Sequence, residues 1–134
     1  MTLKSKHILI VDDDDDTNFL TRLKFEDADS ACSLTFRTDA SKALDYLTTG
    51  PDPFPDLILL DVNMPGLKGW DFLDSCIKEG LLKSKNTCVV MLSTSIYPED
   101  KLRAKTYPDV IGYLEKPLNL ESLRGLLETQ NGGK

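Results

Sequence analysis

Three unbroken aliphatic runs, HILIV (7–11), PDLILLD (55–61) and TCVVMLS (87–93), constrain this chain more than anything else in it. A strand with one face in water alternates apolar and polar residues, so unbroken apolarity belongs to strands covered on both faces, as in a parallel sheet. VIGYL (110–114) is a weaker run of the same kind, and SLTFRT (33–38) alternates as an edge strand does. Between the runs the apolar spacing becomes helical. Phe19, Leu20 and Leu23 share one face of a first helix, and Ala40, Ala43, Leu44 and Leu47 one face of a second. Trp70, Leu73, Cys76 and Ile77 mark a third, and Leu120, Leu123, Leu126 and Leu127 a fifth. The fourth, starting at Pro98, offers only Leu102 and Ala104 to a core, so it is expected to be mostly exposed. Gly50, Gly80 and Gly112 punctuate the pattern, and TQNGGK (129–134) is expected to fray.

Strand therefore alternates with helix five times. That order implies right-handed crossovers and a doubly wound α/β domain: one five-stranded parallel sheet with helices on both faces. The 134 residues are expected to form this single domain, with a core over about 6–128 and no output domain.

In such sheets ligands bind beyond the carboxyl ends of the strands. The first run ends in Asp12 and Asp13, the third in Asp61, the fourth in Ser93 and Thr94, and the fifth leads to Lys116 and Pro117. If the sheet order gathers these ends, three carboxylates, a hydroxyl and an ammonium share one patch. Two carboxylates about 4 Å apart repel by roughly 4 kcal/mol at an effective dielectric of 20, so three together call for a cation. A hard divalent ion with oxygen ligands suits them, and magnesium accepts one or two carboxylates plus waters and a phosphate. A carboxylate can itself attack phosphorus when cation and lysine neutralise the charge on the transferring group. Phosphoryl transfer to an aspartate is the chemistry this set favours.

The aspartate run DDDDD (12–16) then divides. Asp12 and Asp13 would face the cation, while Asp14, Asp15 and Asp16 sit where a helix begins and suit its free N–H groups and dipole. Pro65 and Gly66 make a turn after the third strand, and Gly69 leaves room before the next helix. Trp70 reads as core. Cys32, Cys76 and Cys88 lack metal spacing and read as reduced, packed thiols. His7 is the sole histidine, which argues against a Ser-His or Cys-His pair. A net charge of −6 argues against nucleic acid, and no apolar stretch reaches the roughly 18 residues of a membrane span. The polar N-terminus lacks a signal-peptide core, so a cytoplasmic location is expected.

The segments ILIVDD, PDLILLDVNMPGLKGWDFL, VVMLST and GYLEKPLN, in this order at these strand ends, resemble the response-regulator receiver domain of two-component signalling. The resemblance implies a flavodoxin-like (βα)5 fold. It implies that Asp61 accepts phosphate and that Asp12, Asp13, Asp61 and the Asn63 backbone carbonyl hold Mg²⁺, with Mn²⁺ as a substitute. Ser93, Lys116 and Tyr113 would be the phosphoryl-binding and switching residues. Asn63 and Ser95 would tune dephosphorylation, and Pro117 would follow a cis peptide. Tyr113 also reads simply as a packing tyrosine. The implied protein is a signalling module that acts on itself rather than an enzyme turning over a free substrate. Its implied partners are a sensor histidine kinase or histidine phosphotransfer protein, and a downstream protein on the face of the fourth helix, fifth strand and fifth helix. IYPED (96–100) belongs to that face.

Two alternatives stay open on the residues alone. ILIVDDDDDT also fits a haloacid-dehalogenase-type phosphatase with Asp13 as nucleophile and Asp15 as acid/base, although Asp61 would then have no task. A receiver-like adaptor that takes no phosphate is the other. A calcium loop is excluded, because counting from Asp12 puts Thr17 where glycine is needed and Leu23 where glutamate is needed.

Overall fold

The computed structural model describes residues 6–28, 31–64, 66, 68–83, 86–95 and 97–132, with side chains up to residue 129. The elements run β1 (His7–Val11), α1 (Asp15–Asp27), β2 (Ser33–Arg37), α2 (Ala40–Thr48), β3 (Leu57–Asp61), α3 (Gly69–Lys78), β4 (Cys88–Ser93), α4 (Pro98–Ala104), β5 (Val110–Glu115) and α5 (Leu120–Gly132). All pairings are parallel, in the order β2-β1-β3-β4-β5. β3 and β4 are buried throughout, as their unbroken apolar sequences require, and β2 forms an edge.

Alternate strand residues serve two separate cores. Leu9, Val11, Ile58, Leu60, Val89 and Met91 pack with residues of α2, α3 and α4. Ile8, Ile10, Leu57, Leu59, Val90 and Leu92 pack on the other face with Phe25 of α1 and with Leu123 and Leu127 of α5. Trp70, Cys76 and Cys88 take core positions, and Cys32 packs at the edge of the second cluster. Burial pushes the Cys76 thiol up to about 12, so it stays protonated.

The apolar stripe read for the first helix is corrected. Phe19 and Leu20 are more than half exposed and Leu23 is exposed as well, while α1 buries Asn18, Thr21 and Phe25. The spacing of those three, three then four residues, is the true inward stripe, and two of them are polar because the start of α1 lies over the acidic end of β1. On α3, Ile77 is exposed and Phe72 takes the core place beside Trp70, Leu73 and Cys76. Gly112 does not break an element. It sits inside β5, at a register shift where Val89 pairs with Val110 and Val90 with Gly112. A side chain there would run into Leu126 of α5, so the missing Cβ lets that helix close on the sheet. Of the stretch 129–134 expected to fray, residues 129–132 continue α5 to Gly132, with the Thr129 hydroxyl bonded to the Gly125 carbonyl, and 133–134 lie outside the described residues. Gly66 adopts a positive φ of 74° in the expected turn, and Pro65 lies outside the described residues.

Candidate functional site

The sheet order places β1 between β2 and β3, so the carboxyl ends of β1, β3, β4 and β5 lie side by side. Backbone bonds extend the ladder past the strands. The N–H groups of Asp12, Val62 and Lys116 donate to the carbonyls of Arg37, Leu92 and Ser93 at 3.1, 2.9 and 2.7 Å. The polar residues that close the strands are therefore held as rigidly as the strands themselves.

Asp12 and Asp61 are buried, and Asp13 beside them is exposed. One oxygen from each of the three lies within 4.8 Å of one from each of the others. Asp12 Oδ1 accepts the Asp14 N–H at 2.9 Å, and its Oδ2 faces the Lys116 ammonium at 2.6 Å. Lys116 Nζ is also 3.3 Å from Asp61 Oδ2, while Asp61 Oδ1 accepts the Asn63 N–H at 3.2 Å. Burial first, and then the charge of Asp12, push the Asp61 carboxyl up to about 6, against the pull of Lys116. Burial disfavours the Lys116 ammonium, yet its contacts with Asp12 and Asp61 outweigh that and leave its pKa raised. One ammonium against three carboxylates leaves the cluster short of positive charge. A hard divalent cation such as Mg²⁺ fits this all-oxygen donor set.

Asp14 caps α1 by accepting from the Asp16 N–H and the Thr17 hydroxyl, and Asp15 and Asp16 lie in the first turn. The Thr17 bond leads in holding the Asp14 carboxyl below its ordinary range. Gly69 begins α3 with its Cα against the Asp61 carbonyl, where any side chain would collide. The Gly69 N–H donates to the Val62 carbonyl at 3.1 Å, so the start of α3 is fastened beside Asp61.

Ser93 is fully buried but turned toward its own loop, its Oγ donating to the Ser95 carbonyl at 2.7 Å. Asn63 and Ser95 are exposed at the mouth of the site. The Lys116–Pro117 peptide is cis. Tyr113, half-buried on β5, donates to Asp100 Oδ2 at 3.4 Å, and Trp70 Nε1 donates to Asp100 Oδ1 at 3.3 Å. Trp70 also stacks on Tyr107, and Arg103 lies over its ring.

Sequence reading missed Asn18, whose Nδ2 donates to the Asp12 carbonyl at 3.0 Å, and Lys24, which donates to the Leu118 carbonyl just beyond Pro117. The only signal for Asn18 was the i, i+3, i+7 stripe it shares with Thr21 and Phe25, which the more apolar Phe19, Leu20 and Leu23 stripe outweighs. Nothing local announces the bond of Lys24 across 94 residues of chain. Between α1 and the loop after β5, a groove of about 230 Å³ opens beside Lys116, lined in part by Leu20, Lys24, Thr94 and Leu118.

A five-stranded parallel α/β fold with an acidic triad and a lysine at its carboxyl edge defines a receiver module. The comparisons agree. The sequence model of the response regulator receiver domain matches residues 8–128. The chain is 31% identical over 124 residues to the probable methanogenesis regulatory protein FilR2 of Methanothrix harundinacea, covering 90% of this chain and 78% of that one. It is 32% identical to the two-component response regulator ARR6 of Arabidopsis thaliana, covering 92% and 68% respectively. Its fold is similar to a two component response regulator of Cytophaga hutchinsonii, with a TM-score of 0.86 at 28% identity over 94% of this chain and 96% of that one. This chain belongs to the response regulator receiver domain family.

Receiver domains are signalling modules rather than classical enzymes, and histidine kinases are their partners in general. The phosphatase and adaptor alternatives are not favoured. Among the described residues no helix is long and apolar enough to cross a membrane.

Proposed function

We propose that the chain is a phospho-accepting response regulator receiver that takes a phosphoryl group from a partner phosphohistidine onto Asp61. What carries this reading is the meeting of Asp12, Asp13, Asp61 and Lys116 within salt-bridge and ligand distances at one sheet edge.

An Asp61 oxygen attacks phosphorus, forming a P–O bond as the P–N bond to the donor imidazole breaks and its electron pair returns to the ring. Asp12, Asp13 and Asp61 would hold Mg²⁺, together with the Asn63 carbonyl. When bound, the cation neutralises the charge on the transferring oxygens. Lys116, in contact with Asp12 and Asp61, adds its own positive charge. Deprotonated Asp61 is the competent nucleophile, and its pKa near 6 leaves it ionised at neutral pH.

The buried Ser93 hydroxyl would exchange its bond to the Ser95 carbonyl for one to a phosphoryl oxygen, altering the loop leading to α4. Tyr113 would follow through its bond to Asp100 on α4. Water attack on phosphorus returns Asp61 to its carboxylate, with Asn63 and Ser95 at the mouth governing its approach. A downstream protein would read the α4-β5-α5 face, where Tyr97 and Leu102 are exposed. Ile96 lies outside the described residues. The donor would approach beside Lys116, where Phe19, Leu20 and Leu23 present an outward apolar face. A cytoplasmic setting follows from this reading, since kinase and donor act there.

Intact-mass spectrometry after incubation with acetyl phosphate and Mg²⁺ tests it. One added phosphoryl group is expected, lost in Asp61→Asn and in EDTA. Labelling that survived Asp61→Asn but vanished in Asp13→Asn would replace this reading with the phosphatase.

A further inference from the structure

We propose that Asn18 is a positioning residue for the cation site, fixing the Asp12–Asp13 peptide plane and through it the directions of two of the three carboxylates. This inference rests on the proposed function and adds to it a residue that is not itself a ligand.

The bond from Asn18 Nδ2 goes to the carbonyl of Asp12, which is one side of the peptide joining Asp12 to Asp13. A peptide unit is planar, so fixing its oxygen fixes the rotation about both flanking Cα atoms. On the other side, the Asp12 N–H is tied to Arg37. The next anchor is the Asp14 N–H on Asp12 Oδ1. Asp12 thus has its backbone and one carboxylate oxygen held, leaving Oδ2 toward Lys116. Asp13 is exposed and hangs from a backbone clamped on both sides, by Asn18 before it and by the Asp14 turn after it. A further bond, from the Asn18 N–H to the Asp14 carbonyl at 3.0 Å, makes Asn18 part of the helix it anchors. Residues 12–18 therefore form a closed loop whose span is set by one side chain.

Folding gives part of the reason for an asparagine here, since its Nδ2 satisfies the buried Asp12 carbonyl. Asn is a weaker helix former than Leu or Ala. Asn18 is only 7% exposed, and its Oδ1 is buried with no hydrogen-bond partner among the described residues. Leaving a buried acceptor unsatisfied is a cost that an apolar residue on this inward stripe avoids. The donor that satisfies the Asp12 carbonyl thereby also sets the direction of the acidic pair, at the cost of an unpaired Oδ1.

The test compares Asn18→Leu with Phe25→Leu, a change on the same inward face of α1 at its far end. Mn²⁺ binding to the full chain is measured by electron paramagnetic resonance, urea unfolding is measured in EDTA, and acetyl phosphate labelling is followed against Mg²⁺ concentration. In Asn18→Leu the dissociation constant is expected to rise five- to twentyfold and the unfolding midpoint to fall, because the buried Asp12 carbonyl loses its donor; Phe25→Leu separates the two effects. Its labelling rate at saturating Mg²⁺ should return to within threefold of wild type. Phe25→Leu should lower the unfolding midpoint while leaving the dissociation constant within twofold. Should Asn18→Leu not fold, Asn18→Ala carries the same comparison. Wild-type Mn²⁺ affinity in a folded Asn18 variant overturns the inference alone. A wild-type chain that neither binds Mn²⁺ nor takes a phosphoryl group overturns it together with the proposed function.

Discussion

Lys116 Nζ lies closer to Asp12 than to Asp61, 2.6 Å against 3.3 Å. The ammonium is thus shared between a cation-side carboxylate and the proposed acceptor, and removing it leaves two buried acids facing each other. Breaking a buried pair costs about 3–5 kcal/mol when the remaining charge has no partner. Lys116→Met in EDTA at pH 7.5 should lose roughly 2–4 kcal/mol in urea unfolding, because Asp61 can relieve part of the cost by taking a proton. Unchanged stability would mean that the contact is incidental.

Asp61 itself works against folding at neutral pH. Its carboxyl is raised from the ordinary 3.8 to about 6, so between these values the native protein binds the proton more readily than the unfolded chain. The stability that protonation brings is complete below about pH 4 and is lost as pH rises through about 6. Above that the loss approaches about 3 kcal/mol. Asp61→Asn cannot ionise, so in EDTA at pH 7.5 it should be more stable than wild type by about 1–2 kcal/mol after losing the Lys116 contact. The gap should narrow as pH falls toward 4, and urea titrations across that range measure it.

Gly112→Ala should destabilise by about 1 kcal/mol, the low end for overpacking, because the half-buried Leu126 side chain can turn partly aside. Its new methyl group meets Leu126, and the β5 backbone at the register shift cannot retreat without parting from β4. Thermal unfolding of Gly112→Ala with and without Leu126→Ala checks the pairing. The second change should cost less in the alanine background than in wild type.

Trp70 is the chain's single tryptophan, and its indole N–H shares Asp100 with the Tyr113 hydroxyl. If α4 responds to the acceptor, Trp70 emission should change on adding acetyl phosphate and Mg²⁺. Asp100→Ala should cut that change by at least half while the adduct yield by mass stays the same. An undiminished signal would locate the response elsewhere.

Much of this was legible in the residues. Unbroken apolar runs announced the covered strands, and the polar residues closing those runs announced the carboxylate and lysine cluster that gathers at the carboxyl edge. The inward face of α1 was not legible. Phe19, Leu20 and Leu23 make the stronger apolar stripe, and only the position of the helix over the acidic end of β1 makes Asn18 and Thr21 the buried choice. The bulge at Gly112 was equally hidden, since a glycine in an apolar run reads as a break until its neighbour Leu126 is known. Long-range polar bonds such as Lys24 to Leu118 leave no periodic trace at all.

The sheet is a partition. Among the described residues no side chain belongs to both hydrophobic clusters, and the α2-α3-α4 side holds Trp70, Tyr107 and Tyr113 while the α1-α5 side holds Phe25, Leu118 and Leu123. At the carboxyl edge between the two sides, Asp12, Asp61 and Lys116 meet. Whatever α4 does in response to the site, the α1 wall can remain still. Substitutions that repack the α2-α3-α4 room need not be re-balanced in the α1-α5 room.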